Sequence, residues 1–286
     1  MIKINTEWKD FEVLATGCGE KLERWGSVYL LRPDPQVIWK SKEPLRDFPK
    51  LNAHYLRSET GGGKWDYVKR TPDNWTVKWR DLTFEVKPMG FKHTGLFPEQ
   101  AANWSAMIDI IKKANRPINV LNLFAYTGGA TAACISAGAN VCHVDSAKNM
   151  TERAKQNLTL SGLSFDKARF IVDDCKKFLL REIKRGKKYD AIVMDPPSYG
   201  RGSNGEVWKL EDDLADFLDV CAQVLSDKPL FVLINSYTTG LQPAVLSNML
   251  TLAFKRFNGK AESYEVGLPT GEGIVLPCGA SGLLTF

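Results

Sequence analysis

The sequence predicts an α/β protein: a parallel, doubly wound sheet covered by helices, preceded by a small β-rich domain. Three observations predict it. From about residue 117, short apolar runs alternate with amphipathic helix-like stretches, the pattern of strands joined by covering helices. The early runs end in Gly-containing or acidic segments, where an open parallel sheet presents its ligand-binding edge. The first 85 residues lack this rhythm, because Gly and Pro break them into short pieces.

The β-rich domain is placed at 1–85, with apolar stretches GSVYLLR at 26–32, PQVIWK at 35–40 and WTVKWRDLTFEVK at 75–87. In the last run Trp75, Val77 and Trp79 share one face, as in a half-buried strand. TPDN at 71–74 suits a hairpin loop before it, since Pro and Asp favour turns, and Gly61, Gly62 and Gly63 mark a second loop. The main domain is placed at 86–286. INVLNLF at 118–124 is its first strand, followed by the helix-like GATAACISAG. NVCHVD at 140–145 is the second strand, and its helix stops at Gly162. ARFIVDD at 168–174, YDAIVMD at 189–195 and PLFVLINS at 229–236 are the next three, with helices CKKFLLREIKRG and EDDLADFLDVCAQVL between them. A helix at 242–255, a strand at 261–268 and a short final strand near SGLLTF complete the order.

The apolar runs fall short of the roughly 20 residues that span a bilayer. The N-terminus carries acids early and does not read as a signal peptide, so a cytoplasmic protein is expected. Six cysteines stand far apart without CxxC or zinc spacing, and read as reduced, small apolar side chains. His54, His93 and His143 have no partners at metal-ligand spacing, so no metal is expected. A net charge of +5 is compatible with nucleic acid without arguing for it.

The chemistry-bearing residues follow the strands. Ala125-Tyr126-Thr127-Gly128-Gly129 lets a ligand approach the backbone at a helix N-terminus, although a plain tight turn reads equally well. Its departure from GxGxxG argues against a dinucleotide site. Asp145 ends the second strand, where a carboxylate can accept from both ribose hydroxyls or cap the next helix. Asp174 ends the third, as an acceptor for an adenine amino group or again as a cap. After the fourth come Asp195, Pro196, Pro197, Ser198 and Tyr199: a stiff loop with free carbonyls, an acid at the sheet edge and a ring able to stack on a flat substrate.

Together, VLNLFAYTGGAT, VDSAKNMTERAKQN, FIVDDCKKFL and VMDPPSYGRG resemble the class I S-adenosylmethionine-dependent methyltransferases, whose sheet is Rossmann-like. More narrowly they are similar to the bacterial enzymes that methylate large-subunit ribosomal RNA bases, the cytosine C5 and guanine N7 group. HTGLFPEQAANW at 93–104 matches an element of that group preceding the first strand. The resemblance covers about 85–286 and implies S-adenosyl-L-methionine as cofactor and ribosomal RNA as partner. It places Phe97 and Gln100 over the cofactor, with Phe124, Tyr126, Thr127 and Gly128 around its methionine moiety. Asp145 holds the ribose, Asp174 the adenine amino group, and Asp195 stands beside the sulfonium and target atom. Related C5 enzymes carry a cysteine after the fifth strand, to add to the poorly nucleophilic base. Here 233–238 reads LINSYT, without cysteine, so an intrinsically nucleophilic atom, a ring or exocyclic nitrogen or an oxygen, fits better, nitrogen first. Asp195 and Asn235 are the candidate catalytic residues, and Pro196, Pro197 and Tyr199 the candidate substrate contacts.

Other readings stay open: methylation of a small molecule or protein, or a nucleic-acid-binding module with a relict cofactor site. In the β-rich domain Trp25, Trp39, Trp65, Trp75 and Trp79 interleave with Lys and Arg. That pattern serves either single-stranded RNA or an ordinary core with a solvated surface.

Overall fold

The computed structural model describes residues 1–58, 62–201 and 207–286, so Gly61 of the expected second loop lies outside the described residues. The chain divides into two compact units: Lys3–Ala102 with Gly267–Cys278, and Met1–Ile2 with Asn103–Val266 and Gly279–Phe286. This partition is not the linear one at residue 85, because a hairpin near the C-terminus contributes to the N-terminal unit.

After β1 (Ile2–Ile4), the N-terminal unit holds β2 (Phe11–Gly17), β3 (Glu20–Trp25), β4 (Val28–Pro33), β5 (Ala53–Arg57) and β6 (Gly63–Tyr67), hydrogen-bonded in that order. β7 (Trp75–Trp79) and β8 (Leu82–Val86) form a separate antiparallel ribbon, pairing Val77 with Phe84 and Trp79 with Leu82. The alternating run at 75–87 is therefore two strands. Its polar Arg80-Asp81 pair turns the chain, with Arg80 at φ 49°, and the cross-strand pairs Val77–Phe84 and Trp79–Leu82 share one face of the ribbon. The TPDN segment is correspondingly a connection between β6 and β7 rather than a hairpin loop, since β6 pairs with β5.

Of the five tryptophans interleaved with Lys and Arg, Trp25 and Trp79 have no exposed surface, and Trp25 meets Phe11 at 4.5 Å between ring centroids. Indole N–H groups of Trp39, Trp65, Trp75 and Trp79 donate to Thr16 Oγ1, Met89 O, Trp25 O and Asn5 Oδ1. Trp25 and Trp79 belong to the unit's interior, while Trp39, Trp65 and Trp75 are half-buried, each with its indole N–H paired.

The other unit contains α1 (Ala101–Ala114, whose first two residues belong to the N-terminal unit), β9 (Asn119–Leu123), α2 (Gly129–Ser136), β10 (Asn140–Asp145) and α3 (Lys148–Leu160). β11 (Ala168–Val172), α4 (Cys175–Lys184), β12 (Ala191–Met194), β13 (Tyr199–Arg201) and β14 (Val207–Lys209) follow. α5 (Leu210–Val224), β15 (Phe231–Ser236), α6 (Pro243–Ala253), β16 (Lys260–Pro269) and β17 (Val275–Thr285) end the chain. The sheet runs β1-β16-β17-β15-β12-β9-β10-β11. Five neighbouring strands from β11 to β15 are parallel, and β17 is antiparallel to β15. The α/β, Rossmann-like class expected from the alternation is the class observed.

Its strands are near-continuous apolar runs because helices cover both faces. Leu121, Leu123, Ile192, Met194, Val232 and Ile234 are fully enclosed and join one core with Phe178 of α4 and Phe217 and Leu218 of α5. Each such side chain contributes roughly 1.5–3 kcal/mol by leaving water. β9 lies between β10 and β12, so the chain winds one way to β11 and the other way to β15. Strand order reverses between β9 and β12, and a crevice opens at such a point beyond the strands' carboxyl ends. Among the described residues no helix is long and apolar enough to cross a membrane, and no group of three His, Cys, Asp or Glu could hold a metal.

Candidate active site

Sheet register sets the level of the site. Leu123, Val144, Met194 and Ile234 lie side by side, and Asn235 pairs with Ser281. The next residue on each of those four strands is Phe124, Asp145, Asp195 and Asn235. Four of the sequence candidates thus stand in one row across the carboxyl end of the sheet.

The loop after β9 is shaped by three left-handed residues: Phe124 at φ 52°, Tyr126 at 50° and Gly128 at 80°. Such conformations persist when surroundings over-determine them, and here they do. Phe124 N–H donates to Cys175 Sγ (3.3 Å), Ala125 N–H to Val144 O (3.1 Å) and Tyr126 N–H to Asp145 Oδ2 (2.8 Å). Asn157 of α3 donates from Nδ2 to Thr127 O at 2.8 Å. A Cβ at Gly128 would stand 2.8 Å from Ala154 Cβ, and one at Gly129 2.5 Å from the Trp104 ring. The glycines therefore serve close helix packing as well as the turn.

Asp145 accepts one amide on each carboxylate oxygen, Tyr126 N–H on Oδ2 and Ala147 N–H on Oδ1, both at 2.8 Å. Each oxygen keeps further acceptor capacity, as two ribose hydroxyls require. Burial raises its pKa above the ordinary carboxylate value, against the pull of the Ala147 and Tyr126 amides. It is not the helix cap: Ala147 occupies that position of α3. Asp174 is a cap, its Oδ1 accepting Lys177 N–H at 2.8 Å at the start of α4. It remains exposed at the rim.

The 195–199 loop is clamped from several sides. Asp195 N–H reaches Leu123 O at 3.4 Å, and Trp208 Nε1 donates to Pro197 O at 2.6 Å. Ser198 Oγ lies 2.6 Å from Thr238 Oγ1, tying the loop to the segment after β15. Asp195 is half-buried and Pro196 buried, while Pro197 and Tyr199 are exposed. Trp208, Phe124 and Phe217 form a ring cluster with centroids 5.4–5.5 Å apart. Trp208 and the antiparallel pairing of β13 with β14 escaped the sequence reading, since two three-residue strands carry no periodic signal. Asn235 is 4% exposed, and its Oδ1 accepts from Asn103 Nδ2 (2.9 Å) and Ser281 Oγ (2.8 Å). Phe97 and Gln100 are assigned to the N-terminal unit, half-buried and buried respectively, with Phe97 5.6 Å from the His93 ring. The register row therefore unites Phe124, Asp145, Asp195 and Asn235, and these two stand outside it.

A family model for S-adenosylmethionine-dependent methyltransferases matches residues 54–240. The crystal structure of an S-adenosylmethionine-dependent methyltransferase from Agrobacterium tumefaciens is similar at TM-score 0.93 and 32% identity, over 100% of this chain and 93% of that one. The ribosomal RNA large subunit methyltransferase I of Klebsiella pneumoniae (strain 342) is 42% identical over 81 residues, 28% of this chain and 20% of that protein. The ribosomal RNA large subunit methyltransferase K/L of Shewanella frigidimarina (strain NCIMB 400) is 33% identical over 145 residues, 50% of this chain and 20% of that protein. The chain spans about one fifth of the length of these two relatives.

Proposed function

The chain belongs to the S-adenosylmethionine-dependent methyltransferases, and we propose that it methylates a base of ribosomal RNA at a nucleophilic nitrogen. The RNA assignment rests on the partial likeness to two large-subunit ribosomal RNA enzymes. The observation that carries the chemistry is the row of Phe124, Asp145, Asp195 and Asn235 at the strand-order reversal.

The residues present fit the methyl donor. Its sulfonium supplies an electrophilic methyl group. Asp145 would hold the ribose with its remaining acceptor capacity, and Asp174 the adenine amino group with the oxygen not used in capping. Phe124, Tyr126, Thr127 and Gly128 would wall the methionine moiety, where Gly128 lacks a Cβ. Asp195 would orient the acceptor nitrogen and take up its proton. Pro196, Pro197 and Tyr199 would hold the base. Alignment of this kind supplies on the order of 7–11 kcal/mol in displacement reactions.

Nitrogen is favoured over cytosine C5 by the thiols. Cys134, Cys142, Cys175 and Cys221 of the sheet unit are buried, and burial pushes Cys134 up to about 12, Cys142 to about 11 and the other two far above the ordinary thiol. None offers a thiolate, which is the nucleophile that C5 chemistry needs.

The test is transfer of labelled methyl from S-adenosylmethionine, in parallel, to ribosomal subunits, naked RNA, protein and a small-molecule extract. Label is expected in RNA, on a base nitrogen by nucleoside mass spectrometry, and Asp195→Ala should lower it on the order of 10²–10⁴-fold. Label confined to protein or small molecules would overturn the RNA assignment; 5-methylcytosine would overturn the nitrogen.

A further inference from the structure

Asn235 ends a chain of buried polar groups contributed by four elements of the sheet unit. Tyr264 of β16, Asn103 of α1, Ser281 of β17 and Asn235 of β15 are each at most 4% exposed. Tyr264 Oη donates to Asn103 Oδ1 at 2.7 Å. Asn103 Nδ2 in turn donates to Asn235 Oδ1 and to Ser281 Oγ, both at 2.9 Å, and Ser281 Oγ donates to Asn235 Oδ1 at 2.8 Å. The sense of each bond follows from the first. A buried phenol needs an acceptor for its hydrogen, which makes the facing Asn103 atom the oxygen and turns that residue's NH2 toward Asn235.

Asn235 Oδ1 is thus occupied twice, whereas its Nδ2 donates to none of the described residues. Nδ2 is not among the fully enclosed atoms that lack a partner, so on a residue only 4% exposed it is left as a donor that an incoming acceptor can reach. Ser281, which holds Oδ1, stands on β17 at one side of β15, and Asp195 stands at the same level on β12 at the other side.

We propose that Tyr264, Asn103 and Ser281 are positioning residues that lock the Asn235 carboxamide with its NH2 turned into the site. There it donates to a hydrogen-bond acceptor, a ring nitrogen or carbonyl oxygen, on the molecule being methylated. This rests on the methyl-transfer reading above. It gives the site a specificity: an acceptor molecule presenting a donor at that point would meet a donor and be rejected.

Two measurements test it. The first needs no acceptor molecule: side-chain amide exchange by NMR on free protein labelled with ¹⁵N-asparagine, peaks assigned with Asn103→Asp and Asn235→Asp. The Asn103 NH2 should exchange slowly and the Asn235 NH2 at least tenfold faster, and Tyr264→Phe should narrow that gap. Equal protection of both, or a protected Asn235 NH2, would overturn the lock whatever the substrate. The second is methyl transfer to ribosomal subunits alongside S-adenosylmethionine binding by calorimetry. Asn235→Asp, which turns donor into acceptor, should lower kcat/KM at least 100-fold with the donor's Kd changed less than twofold. Ser281→Ala should lower kcat/KM about tenfold, and Ser281→Thr, which keeps the hydroxyl, should restore most of it. Full activity in Asn235→Asp would overturn the donor role. No transfer to RNA by the unaltered protein, with the exchange pattern intact, would instead count against the RNA reading alone.

Discussion

Buried polar groups are handled differently in the two units. In the N-terminal unit Glu23 has no exposed surface, and its carboxylate accepts from Arg32 Nε (2.6 Å), Arg32 Nη2 (2.8 Å) and Trp25 Nε1 (3.1 Å), with Lys21 Nζ at 3.7 Å. Lys21 in turn meets Asp34 at 3.1 Å. Burial acts against all three of the innermost ions, but their mutual attraction prevails: Glu23 stays below the ordinary carboxylate, and Lys21 and Arg32 stay above their ordinary values. At the rim of the large sheet Asp145 and Asn235 are held by the protein at one end and keep bonding capacity at the other. A closed network specifies a fold, and a half-closed one at the switch point of a parallel sheet specifies a ligand.

Removing one partner from each kind of network should separate them most sharply. Glu23→Ala leaves the enclosed Arg32 without its two-point carboxylate partner and Lys21 with Asp34 alone, and is expected to cost about 3–5 kcal/mol in urea unfolding. Asp145→Asn should cost about 1–2 kcal/mol, since its NH2 cannot accept one of the two backbone amides, yet lower S-adenosylmethionine affinity at least tenfold. If the two substitutions cost the same stability, the contrast between the units is wrong.

Acid probes both units at once. Burial holds His143 of β10 down at about 3, and burial with the nearby Arg32, Lys92 and Lys21 cations holds His93 of the N-terminal unit at about 4. An unfolded imidazole binds a proton below about pH 6.5, whereas these folded ones stay neutral well below that. Stability is therefore lost as pH falls from about 6.5 toward the folded values, by about 2 kcal/mol per imidazole between pH 7 and pH 5. Urea titrations at the two pH values measure this, and His143→Asn should remove about half the difference. An unchanged difference in that variant would show that His143 is not a source of the slope.

These residues also mark what the sequence disclosed. The parallel strands were legible because each is an apolar run with a helix-period segment after it, and the acids after β10, β11 and β12 were legible because an open sheet binds there. Helix α1 was not, because its first turn lies in a segment read for its resemblance to a cofactor-covering element. The 75–87 run was read as one strand because alternation persists across a two-residue turn; only pairing partners distinguish a hairpin from a long strand. Asn235 was singled out, but its partners lie 132 and 46 residues away in sequence and carry no local signal. The same holds for Trp208 against Pro197, which is decided by the packing of the loop and not by any pattern in YGRGSNGEVWK.

A smaller effect is expected at the turn after β9. Gly128→Ala places a Cβ at φ 80° and 2.8 Å from Ala154 Cβ. The left-handed backbone alone costs roughly 1–2 kcal/mol, so a loss of about 1–3 kcal/mol in unfolding is expected, with weaker S-adenosylmethionine binding. The double variant Gly128→Ala with Ala154→Gly separates the two causes. Recovery of more than half the loss would assign it to the clash with α3, and no recovery to the backbone.

The smallest effect is the most discriminating for Asp174, where a structural and a binding role share one side chain. Its Oδ1 caps α4 through Lys177 N–H, and loss of such a cap costs about 0.5–2 kcal/mol. Asp174→Ser keeps an oxygen able to cap but removes the carboxylate offered to an adenine amino group. Asp174→Ala should therefore lower both stability and donor affinity, while Asp174→Ser should lose affinity several-fold with stability within about 0.5 kcal/mol of the unaltered protein. Calorimetric titration with S-adenosylmethionine, set beside urea unfolding, reads the two roles separately. If Asp174→Ser binds the donor normally, the residue is a helix cap, and the adenine contact must come from elsewhere on the rim.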